Sequence, residues 1–199
     1  VASFKVKTPF GVEFGFTHFG GCAMMWKTNS NLYQRKKESN IMFRTIRKKK
    51  NEISIDTAKA LLQSSRRGVL AVNGDDGYPY AIPINYVYDD DAQKIYFHGA
   101  RAGHKVDALR ACDKVCFTVY GNETIKEEDW APFVQSVVVF GRCHLVESGA
   151  RATTLLKRFA MKYYPSEQLV DEEIAHAGKA VQIFEIDVEY LSGKEIQER

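Results

Sequence analysis

Between Arg66 and Glu195 the chain repeatedly alternates apolar and polar residues over short stretches that end at glycine, asparagine or aspartate. Such alternation predicts β-strands with one buried face. The clearest pair is RRGVLAVNG and YPYAIPINYVYD, which flank NGDDG, a strong signal for a hairpin turn. Roughly six or more such strands, mostly joined by tight turns, predict a mainly β (α+β) fold built on an antiparallel sheet or barrel. The regular strand–helix alternation of a dinucleotide-binding fold is absent from the sequence.

A few helical segments flank these strands. SIDTAKALLQSS has Ser54 as its predicted N-cap and an apolar face formed by Ile55, Ala58, Leu61 and Leu62. KVDALRACD is a second helix, GARATTLLKRFAMKYY is a third that Pro165 ends, and a short acidic helix follows. The remaining predicted strands are KIYFHGA, KVCFTVYG, FVQSVVVFGRCHLVE and AVQIFEIDVEYLSGKE.

The chain of 199 residues, 45% of them apolar, is long enough for one domain with a sizeable core. Its composition changes near residue 41, where a Gly/Phe-rich and then polar leader gives way to a regular pattern. We therefore expect a domain over residues 42–199 and an N-terminal extension over residues 1–41. The extension is interpreted as an accessory hairpin, a family-specific addition or a segment foreign to the natural protein.

Composition excludes several classes of protein. The formal net charge of +3 is too small to indicate nucleic-acid binding, and no run approaches the roughly 18 apolar residues of a membrane span. The N-terminal residues also lack the profile of a secretory signal. The cysteines are too few for a disulfide framework and are expected to be free thiols: Cys22, Cys112, Cys116 and Cys143. We expect a cytoplasmic protein with no metal site, because strand alternation directs Cys143 and His144 to opposite faces.

The segment KIYFHGARAGHKVDAL passes from a strand to a helix through two glycines. Strand alternation puts Tyr96 and His98 on one face, and Ile95 and Phe97 on the other. Gly103 permits the turn into the helix that follows. His98 therefore ends a strand just before a flexible turn, and its unperturbed pKa of about 6.5 would let it exchange a proton near neutral pH.

Positive charge is concentrated at the start of that helix. Lys105 falls in the first helical turn, where a cation is a poor match for the helix dipole. An anion held by free backbone N–H groups, Lys105 and His104 would remove this mismatch, with Arg101 closing over it. The alternative is a solvated loop with incidental charges. The spacing matches neither a nucleoside-triphosphate loop nor GxGxxG, so the expected ligand is a single phosphate attached to a flat apolar group.

The stretch RRGVLAVNGDDGYPYAIPINYVYDDDAQKIYFHGARAGHKVDAL, with the later FVQSVVVFGRCHLV and LSGKE, resembles the pyridoxamine 5′-phosphate oxidase-like flavin proteins. It resembles in particular their nitroimidazole-resistance (Nim) branch. The resemblance covers residues 42–195, and residues 1–41 do not resemble that family. It implies an FMN-binding split β-barrel, a homodimer, and flavin sites at the subunit interface.

The same resemblance implies the site residues. Pro83, Ile84 and Asn85 would line the isoalloxazine largely through the main chain, and His98, Gly99 and Ala100 would run beside the flavin. His104 and Lys105 match the phosphate-binding pair. Gln135 and Ser136 match a strand that reaches the flavin of the other subunit, although Nim-like sequences often carry a basic residue in place of Gln135. Lys194 is read either as a neighbour of the site or as an exposed C-terminal lysine.

The function expected from these features is that of an FMN-dependent oxidoreductase. A reduced nicotinamide, NAD(P)H, would supply electrons, and the acceptor would be a small aromatic or nitro compound such as a 5-nitroimidazole, with His98 as the catalytic residue. Two alternatives stay open. One is a non-catalytic protein that binds or stores a flavin or a haem. The other is a pyridoxamine-phosphate oxidase proper, against which stands the absence of the expected arginine-rich motifs near the C-terminus.

Overall fold

The computed structural model describes residues 43–126, 128 and 131–197, and the backbone of three N-terminal strands. These are β1 (Ser3–Lys7), β2 (Glu13–Phe19) and β3 (Cys22–Lys27), which form an antiparallel sheet in the order β1-β2-β3. The chain divides into two compact units, Val1–Arg44 and Thr45–Arg199. The first unit contains this small sheet, and the second contains the remaining elements.

The second unit is built on one antiparallel sheet. Among the described residues its strands are β4 (Arg67–Asn73), β5 (Pro79–Asn85), β6 (Val87–Asp89), β7 (Lys94–Ala100), β8 (Lys114–Lys126), β9 (Ala131–Leu145) and β10 (Val181–Gln197). They are ordered β5-β4-β8-β9-β10-β7-β6. The sequence-based prediction of a mainly β, antiparallel fold is confirmed, and the hairpin predicted around NGDDG is the pair β4–β5.

The sheet curls because its two edges are consecutive in the chain. Strand β5 lies at one end of the sheet and β6 at the other, yet only Tyr86 separates them. The edges must therefore approach each other, and β5 contacts β7 without pairing with it. This incompletely closed arrangement is consistent with a split β-barrel. The line along which β5 faces β6 and β7 is called the seam below.

The chain has four α-helices in its described part: α1 (Ile55–Ser64), α2 (His104–Ala111), α3 (Ala150–Met161) and α4 (Glu167–Ala177). Short 3-10 turns occupy Lys49–Asn51, Asp75–Gly77 and Gly178–Ala180. Helix α1 begins at the predicted N-cap, where the Ser54 hydroxyl accepts a hydrogen bond from the Thr57 N–H. Ala58, Leu61 and Leu62 of its predicted apolar face are buried. Ile55 is half exposed instead, because this first helical residue lies outside the packed part of the helix.

The core has two parts that lie on opposite faces of β7. Ile95 and Phe97 belong to the main core inside the sheet. Tyr96 belongs to a smaller cluster with Ile183 and with Leu155 of α3. The alternation predicted for this strand is thus correct, and it leaves His98 on the face that α3 covers. Ion pairs of α3 with the sheet, Arg158 with Asp89 and Arg151 with Glu185, hold the helix in place.

Three further observations concern only the described residues. None of their helices combines the length and apolar character of a membrane-spanning segment. Their histidine, cysteine, aspartate and glutamate side chains nowhere form a group of three or more that could hold a metal ion. Cys112, Cys116 and Cys143 are free thiols.

Candidate functional site

A cavity of about 460 Å³ opens at the seam, where the end of β5 faces the end of β7 and the start of α2. It is lined by Arg67, Pro83, Ile84, Asn85, His98 and Lys105. We call it the seam cavity. Five of these six residues are among those that the sequence suggested for a flavin site. The structure brings them together from three separate elements.

Strand β5 forms one wall of the seam cavity as an edge strand. Its hydrogen-bonding partner is β4 on one side, and the other side faces the seam. An edge is where a sheet tolerates proline, so Pro83 is compatible with this strand. Alternation turns Ile84 towards the main core, whereas Pro83 and Asn85 are exposed. The wall therefore offers main-chain groups and short side chains to a ligand.

Lys105 is the most unusual group in the cavity. Helix α2 begins after Gly103, whose φ of 114° is a conformation that suits glycine. Lys105 Nζ then lies 5.3 Å from the ring centre of Phe97 and 5.1 Å from that of Phe184. Gly99 leaves room for this approach, because a Cβ atom at that position would lie 2.7 Å from Nζ and the lysine side chain would have to shift.

The environment of Lys105 favours an anionic ligand. Burial is the main cause that lowers the pKa of this half-buried amine. Within the described part of the chain, no carboxylate lies at ion-pair distance from its Nζ. Gly103 also provides no side-chain cap for the first N–H groups of α2. A desolvated ammonium beside an uncapped helix start is a suitable place for a phosphate.

His98 lies two residues before the end of β7, which continues through the turn predicted at Gly99 to Ala100, and it is next to α3. The edge of its ring meets the ring of Phe159, with centroids 4.6 Å apart and an interplanar angle of 77°. Desolvation by burial, and to a smaller extent the Lys105 charge, lower the pKa of His98 from its ordinary value. The site therefore disfavours the imidazolium compared with a fully solvated histidine. In its neutral form the His98 imidazole offers one N–H donor and one acceptor.

Two predicted members of the phosphate site have other contacts. The ring of His104 stacks on Tyr80, with centroids 4.1 Å apart, and its Nε2 lies 3.5 Å from Asp75 Oδ2. It faces the β4–β5 turn and does not line the seam cavity. Arg101 donates hydrogen bonds to the Lys179 carbonyl and the Ser148 hydroxyl, so it does not close over Lys105. Each of these two side chains contacts residues that do not line the seam cavity.

Gly99 and Ala100, the other two predicted residues of β7, follow His98 along the strand. Gly99 lies directly under Lys105, as described above. Ala100 pairs with Val181 at the end of the strand and is exposed. Neither residue contributes to the lining of the seam cavity.

Gln135 and Ser136 lie in the first half of β9, the central strand of the sheet. The Gln135 amide donates to Glu195 Oε2 at 3.1 Å and accepts from Asn122 Nδ2 at 2.9 Å. Ser136 lies opposite Tyr120 and Lys194 in the neighbouring strands. Within one subunit neither residue joins the seam cavity, and their predicted contact with the flavin of a second subunit stays a prediction.

Arg67 is the one lining residue of the seam cavity that the sequence analysis did not single out. It starts β4 and lies opposite Asn85 in the β4–β5 hairpin. Its guanidinium makes no ion pair with any residue in the described ranges, and the side chain is exposed. The sequence could have predicted this position of Arg67, because extending the hairpin register from NGDDG places Arg67 beside the end of AIPIN.

Comparison with known proteins agrees with this architecture. The family model described as pyridoxamine 5′-phosphate oxidase matches residues 54–195, which is most of the chain and includes all residues of the seam cavity. The chain belongs to this family. No curated protein sequence matches the chain.

Several solved structures of other proteins share the fold. A candidate 5-nitroimidazole antibiotic resistance protein from Bacteroides thetaiotaomicron has a TM-score of 0.62 and 17% identity, covering 73% of this chain and 87% of its own. The flavocytochrome Anf3 from Azotobacter vinelandii also has a TM-score of 0.62, with 21% identity over 76% of this chain and 72% of its own. A FAD-binding protein from Mesorhizobium loti has a TM-score of 0.53 and 22% identity, covering 73% and 96%. At these identities the similarity establishes the fold.

Proposed function

We propose that this protein is an FMN-dependent oxidoreductase that takes electrons from NAD(P)H and reduces a small aromatic or nitro compound. The observation that carries the proposal is the half-buried ammonium of Lys105 in the seam cavity, without a carboxylate partner among the described residues. A buried cation without an acidic neighbour is costly unless a ligand supplies the negative charge. A phosphate group on a flat ring system meets that requirement.

The residues present fit such a cofactor. Lys105 and Arg67 would hold the phosphate, and the exposed edge of β5 at Pro83 and Asn85 would lie along the ring system. The volume of about 460 Å³ is within the range of small-molecule and cofactor sites. The two cations belong to a single cavity, which favours a monophosphate such as FMN over the diphosphate of FAD. The known proteins of similar fold that are described as FAD-binding or as a flavocytochrome support the flavin class but not this choice.

A bound flavin supplies hydride and electron transfer. The chain supplies position and protons. His98 lines the seam cavity, and in its neutral form one ring nitrogen can donate a hydrogen bond to an acceptor while the other can take up a proton. We further propose a homodimer in which Gln135 and Ser136 of one subunit complete the site of the other. The fold shared with a candidate 5-nitroimidazole resistance protein supports a nitro compound as the acceptor class.

The test begins with the absorption spectrum of the purified protein. Flavin bands are expected, and acid release followed by mass spectrometry should identify FMN. Finding FAD, haem or no chromophore after reconstitution with FMN would overturn the cofactor proposal.

Activity is tested on the FMN-loaded protein with NADH or NADPH and a nitroaromatic acceptor, with flavin content measured in the same sample. Nicotinamide oxidation that depends on the acceptor supports the enzyme. A fully loaded protein that oxidises neither nicotinamide would instead be a flavin-binding protein without this activity. Oxidation of pyridoxamine 5′-phosphate in the absence of nicotinamide would indicate the oxidase activity.

A further inference from the structure

A second cavity, of about 650 Å³, lies between α3, α4 and the ends of β7 and β10. We call it the helical cavity. Its lining includes His98, Phe159, Tyr164, Leu169, Glu172 and Glu173, and most of the other lining residues are apolar. His98 lines both this cavity and the seam cavity. A molecule in the helical cavity would therefore share a wall with a ligand in the seam cavity.

The shared wall is firmly held. Phe159 packs against His98 on one side and against Tyr163 on the other, with the latter centroids 5.0 Å apart. Tyr163 Oη accepts a hydrogen bond from the Tyr86 N–H at 2.7 Å and lies 2.6 Å from the Arg66 carbonyl oxygen. Helix α3 and the residues after it are thus anchored at the seam itself. The position of His98 between the two cavities is a built feature of the fold.

The rim of the helical cavity exposes apolar surface. Tyr164 is 61% exposed and Leu169 is 58% exposed, although both side chains are large and apolar. Such residues at the edge of a cavity are typical of a surface that a ligand covers. The aromatic groups of Phe159 and Tyr164 favour a flat ring as the occupant.

Negative charge at the rim of the helical cavity favours flat ligands that carry a positive charge. Glu172 and Glu173 project from α4, both are exposed, and neither forms an ion pair within the described part of the chain. Glu172 accepts one hydrogen bond, from Gln168 Nε2 at 2.9 Å. The described lining contains no lysine or arginine, and its remaining ionisable side chains besides His98 are His176 and Tyr164. The cavity thus combines an apolar interior with uncompensated negative charge.

We propose that the helical cavity binds the electron acceptor, and that this acceptor is a flat aromatic molecule with a basic substituent. The ring lies against Phe159 and His98, and the cationic group faces Glu172 and Glu173. That this ligand is the electron acceptor rests on the proposed function, because His98 is the residue that the helical cavity shares with the candidate flavin site. The preference for a cation rests on the cavity alone.

Three nitroaromatic probes with the same ring and different charge test the proposal: para-nitrobenzylamine, para-nitrobenzyl alcohol and para-nitrobenzoate. Their dissociation constants are measured at pH 7 by calorimetry on the purified protein as isolated, and their KM values on the FMN-loaded protein. We expect the cation to bind about tenfold more tightly than the anion, as two exposed carboxylates would give. In Glu172→Gln/Glu173→Gln that ratio should fall to about one. Glu147→Gln, an exposed glutamate outside both cavities, is the matched control and should keep the wild-type ratio.

Filling the cavity provides a second measurement. Ala160→Trp places a large ring in the lining and should abolish binding of all three probes, with circular dichroism as the check on folding. Equal affinity for the three charges, or a ratio that the double substitution leaves unchanged, would overturn the proposal. The proposal would also be overturned if the probes did not bind and the double substitution changed the dimerisation constant. A second copy of the chain would then cover the cavity. Selective binding of the cation by a protein that takes up no flavin even after reconstitution with FMN would support the ligand class and overturn the proposed function.

Discussion

Replacing Lys105 by methionine separates the two roles that its position implies. Without ligand, the ammonium is half-buried over Phe97 and Phe184, and burial lowers its pKa. Methionine keeps the length and the apolar packing of the side chain and removes the charge. The substitution loses cation–π contributions of about 0.5–1 kcal/mol each and relieves the desolvation of the ammonium. We expect the free energy of unfolding of the ligand-free protein to stay within about 1 kcal/mol of the wild-type value or to rise.

The Lys105→Met variant should also bind FMN more weakly than the wild type. A hydrogen bond between an ammonium and a phosphate contributes roughly 1.5–3 kcal/mol, which corresponds to a loss of about ten- to a hundredfold in affinity. Arg67 stays in the cavity, so binding should weaken without disappearing.

The two quantities come from two assays. Titration of the ligand-free protein with FMN at fixed salt gives the dissociation constant, and urea unfolding gives the stability. Lys114→Met, at the exposed start of β8, is the matched control and should change neither. An FMN affinity within twofold of wild type would refute the phosphate role of Lys105. A large loss of stability in the ligand-free variant would refute the description of its ammonium as a desolvated charge that only a ligand neutralises.

Three further predictions address other parts of the same region. His98→Ala should slow acceptor reduction by about a hundredfold or more at full flavin occupancy while FMN affinity stays within a few-fold; parent-like turnover would remove His98 from the chemistry. Tyr163→Phe deprives the Tyr86 N–H of its acceptor and should lower the free energy of unfolding by about 1–3 kcal/mol, whereas Tyr164→Phe, at an exposed tyrosine, should not. Burial is the main cause that lowers the pKa of Lys162 from 10.5 to about 8. Between these two pH values the unfolded chain binds more protons than the folded protein, so the free energy of unfolding should rise with pH across this range. Urea unfolding at about pH 7.5 and about pH 9.5 should show a rise on the order of 1 kcal/mol that Lys162→Met flattens, and an equal rise in both proteins would contradict the assignment.

Local patterns in the sequence predicted the elements of the second unit well. The alternation of KIYFHGA corresponds to β7 at Lys94–Ala100, and Ser54 caps α1 as predicted. These features depend on neighbours within a few residues, so the sequence contains the information directly. Strand order is different, because it depends on pairing between distant segments such as β4 with β8. Nothing in the local pattern of either strand specifies the other.

In the candidate site, too, some features follow from the sequence and others depend on contacts between distant segments. Pro83, Asn85, His98 and Lys105, which the family resemblance implied for a flavin site, line one cavity, and their contact with a flavin stays a prediction. The direction in which the pKa of His98 is shifted depends on desolvation and on the Lys105 charge, which only the packed structure determines. Arg101 was expected at the anion from its sequence position alone, and His104 from its position and from the family resemblance. Competing hydrogen-bond and stacking partners, which lie far away in sequence or in a neighbouring turn, take up their side chains.

The connection through Tyr86 has a consequence for how any ligand acts on the whole domain. One wall of the seam cavity is the β4–β5 hairpin, which includes one edge strand of the sheet, and the other wall is β7 with the start of α2, next to the opposite edge. The described structure joins the two edges by chain continuity and side-chain contacts and not by strand pairing. Separation of the edges is therefore the local opening that would destroy the cavity without unfolding the sheet. A ligand that binds between the two walls binds only the closed state, so it suppresses this opening by mass action. Amide hydrogens of β5 and β6 should consequently exchange with solvent more slowly when the cavity is filled, while those in the central strands β8 and β9 exchange at rates set by global unfolding.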